Sequence, residues 1–324
     1  MQGTVLPKIS VIIPVLNGEK FLEKAICSVL DQDYKNTELI ILDAGSTDST
    51  LDIIKRYESH IRYWHSKPDG SAYKAINLGI EQSTGDLIAQ LMADDWFEPA
   101  IFQKVAHAFL DHPDAEVISC GGRIVYYDEN VKQYKLRSIY TSKQQIELNF
   151  HNVCFGTPAM STRFFTPLLI KKVGLMIPFD SLGNHIFSSD REFLLRIIVN
   201  HCKSIVISHL GHTYFAHQGS ATFGKNHKNT LKILQEHRII AKEYLTKYKL
   251  ARKQRFVLVN WYNDQSIRFL LFKLIAGDFS AACSVAAEGV KETKLSWLIS
   301  LIFVPVKIMA RRILGFLHNK RAKF

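Results

Sequence analysis

The sequence predicts an α/β protein with a mostly parallel sheet flanked by helices, followed by a helical extension. Over residues 9–92, apolar segments of strand length alternate with segments whose apolar residues recur at helical spacing. The strand segments are apolar at consecutive positions, which is typical of strands buried on both faces. After Gly224 apolar residues recur at helical intervals and no proline occurs until Pro305. We therefore expect two parts, residues 1–224 and residues 225–324.

The first element, "ISVIIPV" at residues 9–15, is a β-branched apolar run of strand length. A helix over 19–32 follows, because its apolar residues recur every three or four positions. The helix over 48–59 opens on an acidic turn rich in Ser and Thr, which helix N-termini favour. The same patterns predict strands at 38–46, 61–66 and 86–92 and a helix at 71–82.

The middle of the chain is less regular. Residues 115–128 are expected to form a strand or a hairpin, and residues 203–222 a strand followed by turns. Residues 188–201 are expected to form a helix that begins at a Ser/Asp cap. These elements would complete the first part of the chain.

The charge is unevenly distributed. Residues 225–324 carry 20 Lys and Arg against 6 Asp and Glu, whereas residues 1–224 carry 21 against 24. The five cysteines are widely spaced and odd in number, so neither a disulfide framework nor a metal knuckle is predicted. A reducing, cytosolic environment is the expectation, and the N-terminus has no signal-peptide pattern.

Polar residues follow each of the four predicted strands. They are Asn17, Asp43, the segment 67–71 ("KPDGS"), and the adjacent pair Asp94 and Asp95. Parallel sheets of this kind bind ligands beyond the carboxyl ends of their strands. All four loops would open on one edge of the sheet, and this convergence predicts a ligand site there.

The carboxylates of Asp94 and Asp95 suit a hard divalent cation. Mg²⁺ and Mn²⁺ prefer oxygen ligands and, in nucleotide enzymes, are held by one or two carboxylates while substrate phosphates supply further ligands. The alternative is a solvated acidic turn or the N-cap of a helix beginning near Trp96. The neighbouring strand-end loops favour the metal.

Three segments together resemble the family-2 glycosyltransferases of the GT-A fold, specifically bacterial enzymes that build surface polysaccharides. They are "ISVIIPVLNGEKFLEKAICSVLDQDYKNTELIILDAGSTDST", "KPDGSAYKAINLGIEQSTGDLIAQLMADD" and "SSDREFLLR", and the resemblance covers roughly residues 8–220. It implies a GT-A type, Rossmann-like sheet. It also implies a nucleotide-diphosphate sugar donor, with a UDP-sugar favoured and a GDP-sugar possible, and Mn²⁺ or Mg²⁺ as cofactor.

The resemblance also implies roles for individual residues. Asp43 would contact the base, Asp69 would lie near the base or ribose, and Asn77 belongs to a segment that shapes the helix beneath the donor. Asp94 and Asp95 correspond to the acidic motif that touches the ribose and binds the metal. The nucleoside pocket would be lined by Pro14, Val15 and Asn17.

Two departures from the family pattern bear on these roles. Many relatives have two consecutive aspartates after the second strand, where this chain has Asp43 and then Ala44. Base recognition would then rest on Asp43 alone. The acidic motif often begins with Asp at the position of Met92, so Asp94 and Asp95 are the only carboxylates available there.

An inverting glycosyltransferase needs a base that takes the acceptor's proton. Asp190, in "SSDREFLLR", matches the family's catalytic carboxylate; its structural alternative is a helix cap, and the two roles are compatible. His217, in "HQGSATFG", resembles a loop near the diphosphate and could steady it, the alternative being a surface turn.

The C-terminal third contains "LSWLISLIFVPV" at 295–306, an uncharged run followed by basic residues. It is shorter than the about 20 apolar residues that span a bilayer, so it suits a helix lying on an anionic membrane, with Trp297 and the cations favouring lipid. The alternative is a helix packed in the protein core. Nucleic acid is not an expected partner.

The sequence therefore predicts a metal-dependent, inverting glycosyltransferase that acts on a lipid-linked or glycan acceptor. Its expected location is peripheral, at the cytoplasmic face of the cell membrane. A sugar-nucleotide nucleotidyltransferase and a catalytically silent, membrane-bound sugar-nucleotide binding protein are the alternatives.

Overall fold

The computed structural model describes residues 5–156, 160–178, 186–220 and 227–321, with the side chains of the last helix described as far as Met309. Its contacts divide the chain into two compact units, Met1–Lys225 and Asn226–Phe324.

Four parallel strands open the first unit, in the spatial order β3-β2-β1-β4. Each of the three connections between them contains a helix, as parallel neighbours require. This arrangement confirms the predicted fold class. The elements are β1 (Ile9–Val15), α1 (Leu22–Leu30), β2 (Thr37–Asp43), α2 (Thr50–Arg56), β3 (Tyr63–Ser66), α3 (Ala72–Gln82) and β4 (Leu87–Gln90), with a 3₁₀ turn at Glu58–His60.

The sheet continues beyond β4 through strands that arrive in a different order, β8-β6-β9-β5, with β7 paired to β6. Among the described strands of this part, only β6 and β9 pair in parallel; the other pairs are antiparallel. The strands are β5 (Trp96–Phe97), β6 (Val117–Asp128), β7 (Gln133–Tyr140), β8 (Arg163–Phe165) and β9 (Ser204–Ala216). The helices are α4 (Ile101–Asp111), α5 (Lys143–Ile146), α6 (Phe150–Phe155), α7 (Pro167–Val173) and α8 (Ser189–Val199), with a 3₁₀ turn at Met160–Thr162.

The core of this unit is centred on β1, which is buried at every position. The adjoining helix α3 approaches it closely at Gly79, where an added Cβ would lie 2.4 Å from Cγ2 of Ile12. Only glycine allows this approach without displacing the Ile12 side chain. This contact holds the C-terminal half of α3 against β1.

A buried carboxylate, Glu38, ties together the amino ends of β1, β2 and β4. It accepts hydrogen bonds from Ser10 Oγ at 2.6 Å and Thr84 N at 2.6 Å, and it pairs with Lys8 at 2.6 Å and Arg62 at 3.1 Å. Burial alone would raise the pKa of Glu38, but the hydrogen bonds from Lys8, Ser10 and Thr84 lower it to about 2. This network lies at the edge opposite the predicted ligand site.

The second unit is helical, as predicted for the C-terminal extension. It contains α9 (His227–Lys247), α10 (Arg252–Ile275), α11 (Phe279–Thr293) and α12 (Leu295–Arg321), and α10 contacts the other three helices. None of the described helices combines the length and the apolarity needed to cross a membrane.

Trp297 of α12 does not face outward, in contrast to the expectation that it would favour lipid. Its side chain is fully buried and packs with Ile267 and Val285. Gly289 of α11 lies against the indole, where an added Cβ would be 2.5 Å from the ring. Trp297 is therefore a core residue that fixes α12 to α11.

Candidate functional site

The loops after β1 and β2 are tied together by hydrogen bonds. Asn17 has a positive φ of 53° and donates its backbone N–H to Ser46 Oγ at 2.7 Å. Its side-chain Oδ1 accepts the backbone N–H of Thr47 at 2.9 Å. Asn17 is exposed, whereas Pro14 and Val15 are buried within β1. Of the three residues expected at the nucleoside pocket, Asn17 is therefore the one whose side chain lies at the surface.

Asp43 is fully buried at the end of β2 and shapes the loop that follows. Its carboxylate accepts hydrogen bonds from Gly45 N at 3.1 Å, Ser46 N at 3.0 Å and Ser66 Oγ at 2.5 Å, and also from Ser46 Oγ. These donors come from the residue's own loop and from β3. The structure thus gives Asp43 a loop-holding role, and its contact with a base stays a prediction.

The loop after β3 packs against the loop after β2. Gly45 has a φ of 85°, and an added Cβ there would lie 3.2 Å from the ring of Pro68. Asp69 accepts the N–H of Ser71 through Oδ1 at 2.9 Å, while its Oδ2 is buried and has no hydrogen-bond partner among the described residues. A buried acceptor without a hydrogen bond destabilises the fold unless a ligand or water supplies a donor. Asp69 therefore keeps acceptor capacity for a ligand.

Asn77 of α3, expected in a segment that shapes the helix beneath the donor, bonds through its side chain to the backbone of Met176. Its Nδ2 donates to the carbonyl of Met176 at 2.8 Å, and its Oδ1 accepts the N–H of Met176 at 3.0 Å. Both ends of the side-chain amide are engaged with backbone. Asn77 thus holds the segment after α7 against α3.

Asp94 and His217 meet at the edge of the sheet although they are 123 residues apart. His217 Nε2 lies 2.9 Å from Asp94 Oδ2, and their side chains are 23% and 27% exposed. Gly219 donates its N–H to His217 Nδ1 at 3.2 Å, so the neutral ring carries its proton on Nε2 and donates to Asp94. The rings of Phe21 and Phe215, with centroids 4.8 Å and 5.3 Å away, fix the imidazole.

Asp95, the next residue, is far less exposed than Asp94. Its side chain is 2% exposed; its Oδ2 lies 3.2 Å from His212 Nε2, and its Oδ1 accepts the N–H of Phe215 at 3.0 Å. Burial raises the pKa of Asp95, an effect that His212 opposes. Both oxygens of Asp95, a residue expected to bind the metal, are therefore already engaged by residues of β9.

The donor set for a divalent cation is accordingly smaller than the sequence indicates. No group of three His, Cys, Asp or Glu side chains that could hold a metal occurs among the described residues. Asp94 fits as a ligand because it is accessible and lies where the strand-end loops converge. His217 fits as a second ligand only if the Gly219 N–H turns away, since a neutral imidazole bound through Nε2 carries its proton on Nδ1.

Asp190 occupies the first turn of α8. Its Oδ1 accepts the N–H of Arg191 at 2.7 Å, and its carboxylate interacts with the hydroxyl of Tyr73 from α3. The Tyr73 hydroxyl also donates to the carbonyl of Phe187 at 2.9 Å. Burial raises the pKa of Asp190, while the charge of Arg191 opposes the rise. The carboxylate is thus held beside the start of α3, at the edge where the loops open.

Sequence reasoning missed His212 and Tyr73. His212 lies on β9 and is 1% exposed, and the only signal in the sequence is a polar residue within a strand-like apolar run. Tyr73 follows "KPDGS" in the first turn of α3, where a tyrosine has no distinctive pattern. Both partners become visible only when the elements are assembled.

The sequence profile described as "Glycosyl transferase family 2" matches residues 10–169, which contain β1 to β8 with all four strand-end loops. Residues 10–169 of this chain belong to glycosyl transferase family 2. An uncharacterized glycosyltransferase of Rickettsia typhi is 30% identical over 179 residues, which are 54% of this chain and 55% of that protein. The chain spans about half the length of the curated relatives it matches.

Two solved structures share the fold over most of the chain. TarS residues 1–349 of S. aureus, in complex with UDP-GlcNAc, has a TM-score of 0.61, 17% identity and 90% coverage of both chains. The mannosyltransferase PcManGT of Pyrobaculum calidifontis, in complex with GDP-Man and Mn²⁺, has a TM-score of 0.56 and 16% identity, covering 94% of this chain and 87% of its own chain. At these identities the likeness concerns the fold.

Proposed function

We propose that this protein is an inverting glycosyltransferase that moves a sugar from a nucleotide-diphosphate donor to a hydroxyl group. The observation that carries the proposal is the Asp94–His217 pair, with a 2.9 Å contact at the edge where the four strand-end loops converge. The UDP-GlcNAc and GDP-Man bound to the two structural neighbours support a nucleotide-sugar donor, with a UDP-sugar favoured and a GDP-sugar as the alternative.

The donor's nucleoside would lie across the loops after β1 to β3. Asp69 Oδ2 supplies a buried acceptor for a base or ribose donor group, and Asn17 offers an exposed side chain at the end of β1. Asp43 would act mainly by fixing the loop that carries Ser46, as its four donors indicate. Specificity for the base would then come from this preorganised loop.

Asp94 would hold the cofactor, Mn²⁺ or Mg²⁺, together with the donor's phosphates, and His217 would orient Asp94 or add a second ligand. A divalent cation bound there supplies charge neutralisation for the departing diphosphate. Asp95 would support this arrangement from beneath by joining the turn to β9 through His212 and Phe215.

Asp190 would accept the proton of the attacking acceptor hydroxyl as the sugar's anomeric carbon forms its new bond. Its raised pKa favours this role, because a more basic carboxylate takes a proton more readily. Tyr73 would position Asp190 through their contact.

Transfer is tested by incubating the protein with UDP- and GDP-sugars and Mn²⁺ and measuring release of the nucleoside diphosphate. Asp190→Asn should lower the rate by about 10²–10⁴-fold while donor affinity by calorimetry stays unchanged. Asp52→Asn, a change of an exposed aspartate on α2, is the matched control. Normal turnover by Asp190→Asn would refute the base assignment. Formation of nucleoside triphosphate and sugar 1-phosphate when pyrophosphate is added to the donor would indicate a nucleotidyltransferase.

The acceptor would be lipid-linked or glycan, used in surface polysaccharide synthesis, with the protein peripheral at the inner face of the cell membrane. The support is an exposed apolar surface on α12: Ile302 and Phe303 are 67% and 66% exposed, and Lys307 follows. Such a helix is suited to lie on an anionic bilayer. Other exposed apolar residues of α12 are Leu295, Leu298, Ile299, Leu301, Val306 and Met309.

Membrane binding is tested by co-sedimentation with vesicles of phosphatidylglycerol and of phosphatidylcholine. The double change Ile302→Ser, Phe303→Ser should weaken binding to phosphatidylglycerol vesicles by roughly 30-fold or more, since two large apolar side chains lose their burial. Ile239→Ser, at a 56% exposed position on α9, is the control. Equal sedimentation of all three proteins would contradict the membrane proposal.

A further inference from the structure

A group of aromatic rings and one lysine forms a partly exposed surface beside the candidate site. We name it the aromatic ledge; it consists of Lys24 of α1, Trp96 of β5, Tyr127 of β6 and Tyr134 of β7. Tyr127 and Tyr134 face each other across the β6–β7 hairpin with ring centroids 5.4 Å apart, and Trp96 lies 5.5 Å from Tyr134. The two tyrosines are 37% and 49% exposed.

The ledge is continuous with the Asp94–His217 pair. Tyr134 lies 5.3 Å from the ring of Phe215, and Phe215 stacks on His217 at 5.3 Å. A row of rings therefore runs from the exposed hairpin to the imidazole that donates to Asp94. Exposed aromatic surface that leads directly into a ligand site marks a binding surface rather than a solvated face.

Lys24 gives the ledge a positive charge. Its Nζ lies 3.1 Å from the ring centroid of Trp96 and 4.3 Å from that of Tyr134, and it has no ion pair among the described residues. The neighbouring Arg123 is neutralised by Glu98 at 2.8 Å. Partial desolvation lowers the pKa of Lys24, an effect that the charge of Glu98 opposes and that of Arg123 reinforces.

We propose that the aromatic ledge is an acceptor subsite for an acidic pyranose, whose ring stacks on Tyr127 and Tyr134 and whose carboxylate pairs with Lys24. The proposal rests on the proposed glycosyltransferase function and names the acceptor's chemistry. Aromatic faces carry partial negative charge and attract the weakly positive C–H face of a sugar ring. Lys24 is exposed and forms no ion pair with the described carboxylates, so its ammonium is available to an incoming anion.

The length and flexibility of lysine make the pairing feasible. The four-carbon stem allows Nζ to leave the Trp96 face and follow an anion next to Tyr134, whose centroid is already 4.3 Å away. Lys24 would then select acidic over neutral sugars, while the tyrosines would contribute to both. Lys24 acts on specificity and takes no part in the transfer step.

The test compares two sugars that differ only at C6, methyl β-D-glucuronide and methyl β-D-glucoside. Their dissociation constants are measured on the full chain by saturation-transfer NMR titration. We expect the glucuronide to bind about tenfold more tightly, the increment of one charge-assisted contact. Lys24→Met should remove this advantage without changing glucoside binding, and Tyr134→Leu should weaken both sugars.

Lys55→Met, a change of an exposed lysine on α2, is the control and should keep the advantage of the glucuronide. Equal binding of the two sugars, an advantage that persists in Lys24→Met, or no detectable binding of either sugar would overturn the proposal. Release of nucleoside diphosphate from the sugar donor is measured on the same samples. If release is retained, the failure concerns the ledge alone; if release is also absent, the glycosyltransferase proposal fails with it.

Discussion

Replacing Asp95 by Ala should destabilise the first unit, whereas replacing its neighbour Asp94 should leave the fold intact and impair metal-dependent donor binding. The two residues have the same chemistry and are adjacent in sequence, so they are each other's best controls. Their surroundings differ: Asp95 is 2% exposed with two partners on β9, and Asp94 is 27% exposed with one partner, His217, that is 23% exposed.

The size of the effect follows from the contacts. Asp95→Ala leaves His212 Nε2 and the Phe215 N–H buried without acceptors, and each such group costs about 1–3 kcal/mol. Because burial raises the pKa of Asp95, removing the carboxylate also relieves some desolvation, so we expect a net loss of about 2–4 kcal/mol. In a unit of this size that lowers the melting temperature by about 5–15 °C. Asp94→Ala should cost less than about 1 kcal/mol.

The assay combines thermal unfolding with calorimetric titration of UDP or GDP in the presence and absence of Mn²⁺. Asp94→Ala should keep the melting temperature and lose the Mn²⁺-dependent part of the affinity. Asp95→Asn, which preserves an acceptor for the Phe215 N–H, should recover part of the stability lost in Asp95→Ala. If Asp95→Ala melted like the unmodified protein and lost the Mn²⁺ effect, the assignment of the two carboxylates would be reversed.

Three further predictions concern the scaffold. Glu38→Gln should lower the free energy of unfolding by about 3 kcal/mol at pH 7, because the folded pKa of about 2 lies below the ordinary 4.5. The carboxylate's stabilisation is present above the ordinary pKa and is lost as the pH falls toward 2. Urea titrations at several pH values would measure this dependence. Gly79→Ala should cost about 1–3 kcal/mol through its overlap with Ile12, and an unchanged urea midpoint would contradict that close approach. Asn77→Ala should lower stability by about 1–3 kcal/mol with donor affinity unchanged. A selective loss of donor affinity at unchanged stability would contradict this structural role.

The first four strands could be predicted because their burial shows directly in the pattern of apolar residues along the sequence. β1 and β2 are buried along almost their whole length, so the sequence shows continuous apolar runs, and the helices between them show a 3.6-residue period. Parallel pairing then requires that the strand ends share one edge. The strands β5 and β8, with two and three residues, carry no such signal and form because longer neighbours present free edges.

The site was predictable in its location and less so in its contacts. Position along a strand tells which edge a residue occupies, which is why the sequence predicts Asn17, Asp43 and Asp69 at the edge where the strand-end loops open. It does not tell whether a side chain faces a ligand or the protein, because that depends on partners distant in sequence. Asn77 is the example: its backbone partner, Met176, lies 99 residues away.

The adjacent aspartates show how local geometry separates two identical side chains. Residues 92–95 form a turn after β4, closed by a 3.0 Å hydrogen bond from Asp95 N to the carbonyl of Met92. Asp94 lies at the corner of this turn, and Asp95 lies directly before β5. Consecutive residues leaving a turn point to different sides. The repulsion expected of neighbouring carboxylates is relieved because Asp95 is buried against His212 and Asp94 is directed at His217. One carboxylate therefore joins the turn to β9, and that fixed turn presents the other to the ligand.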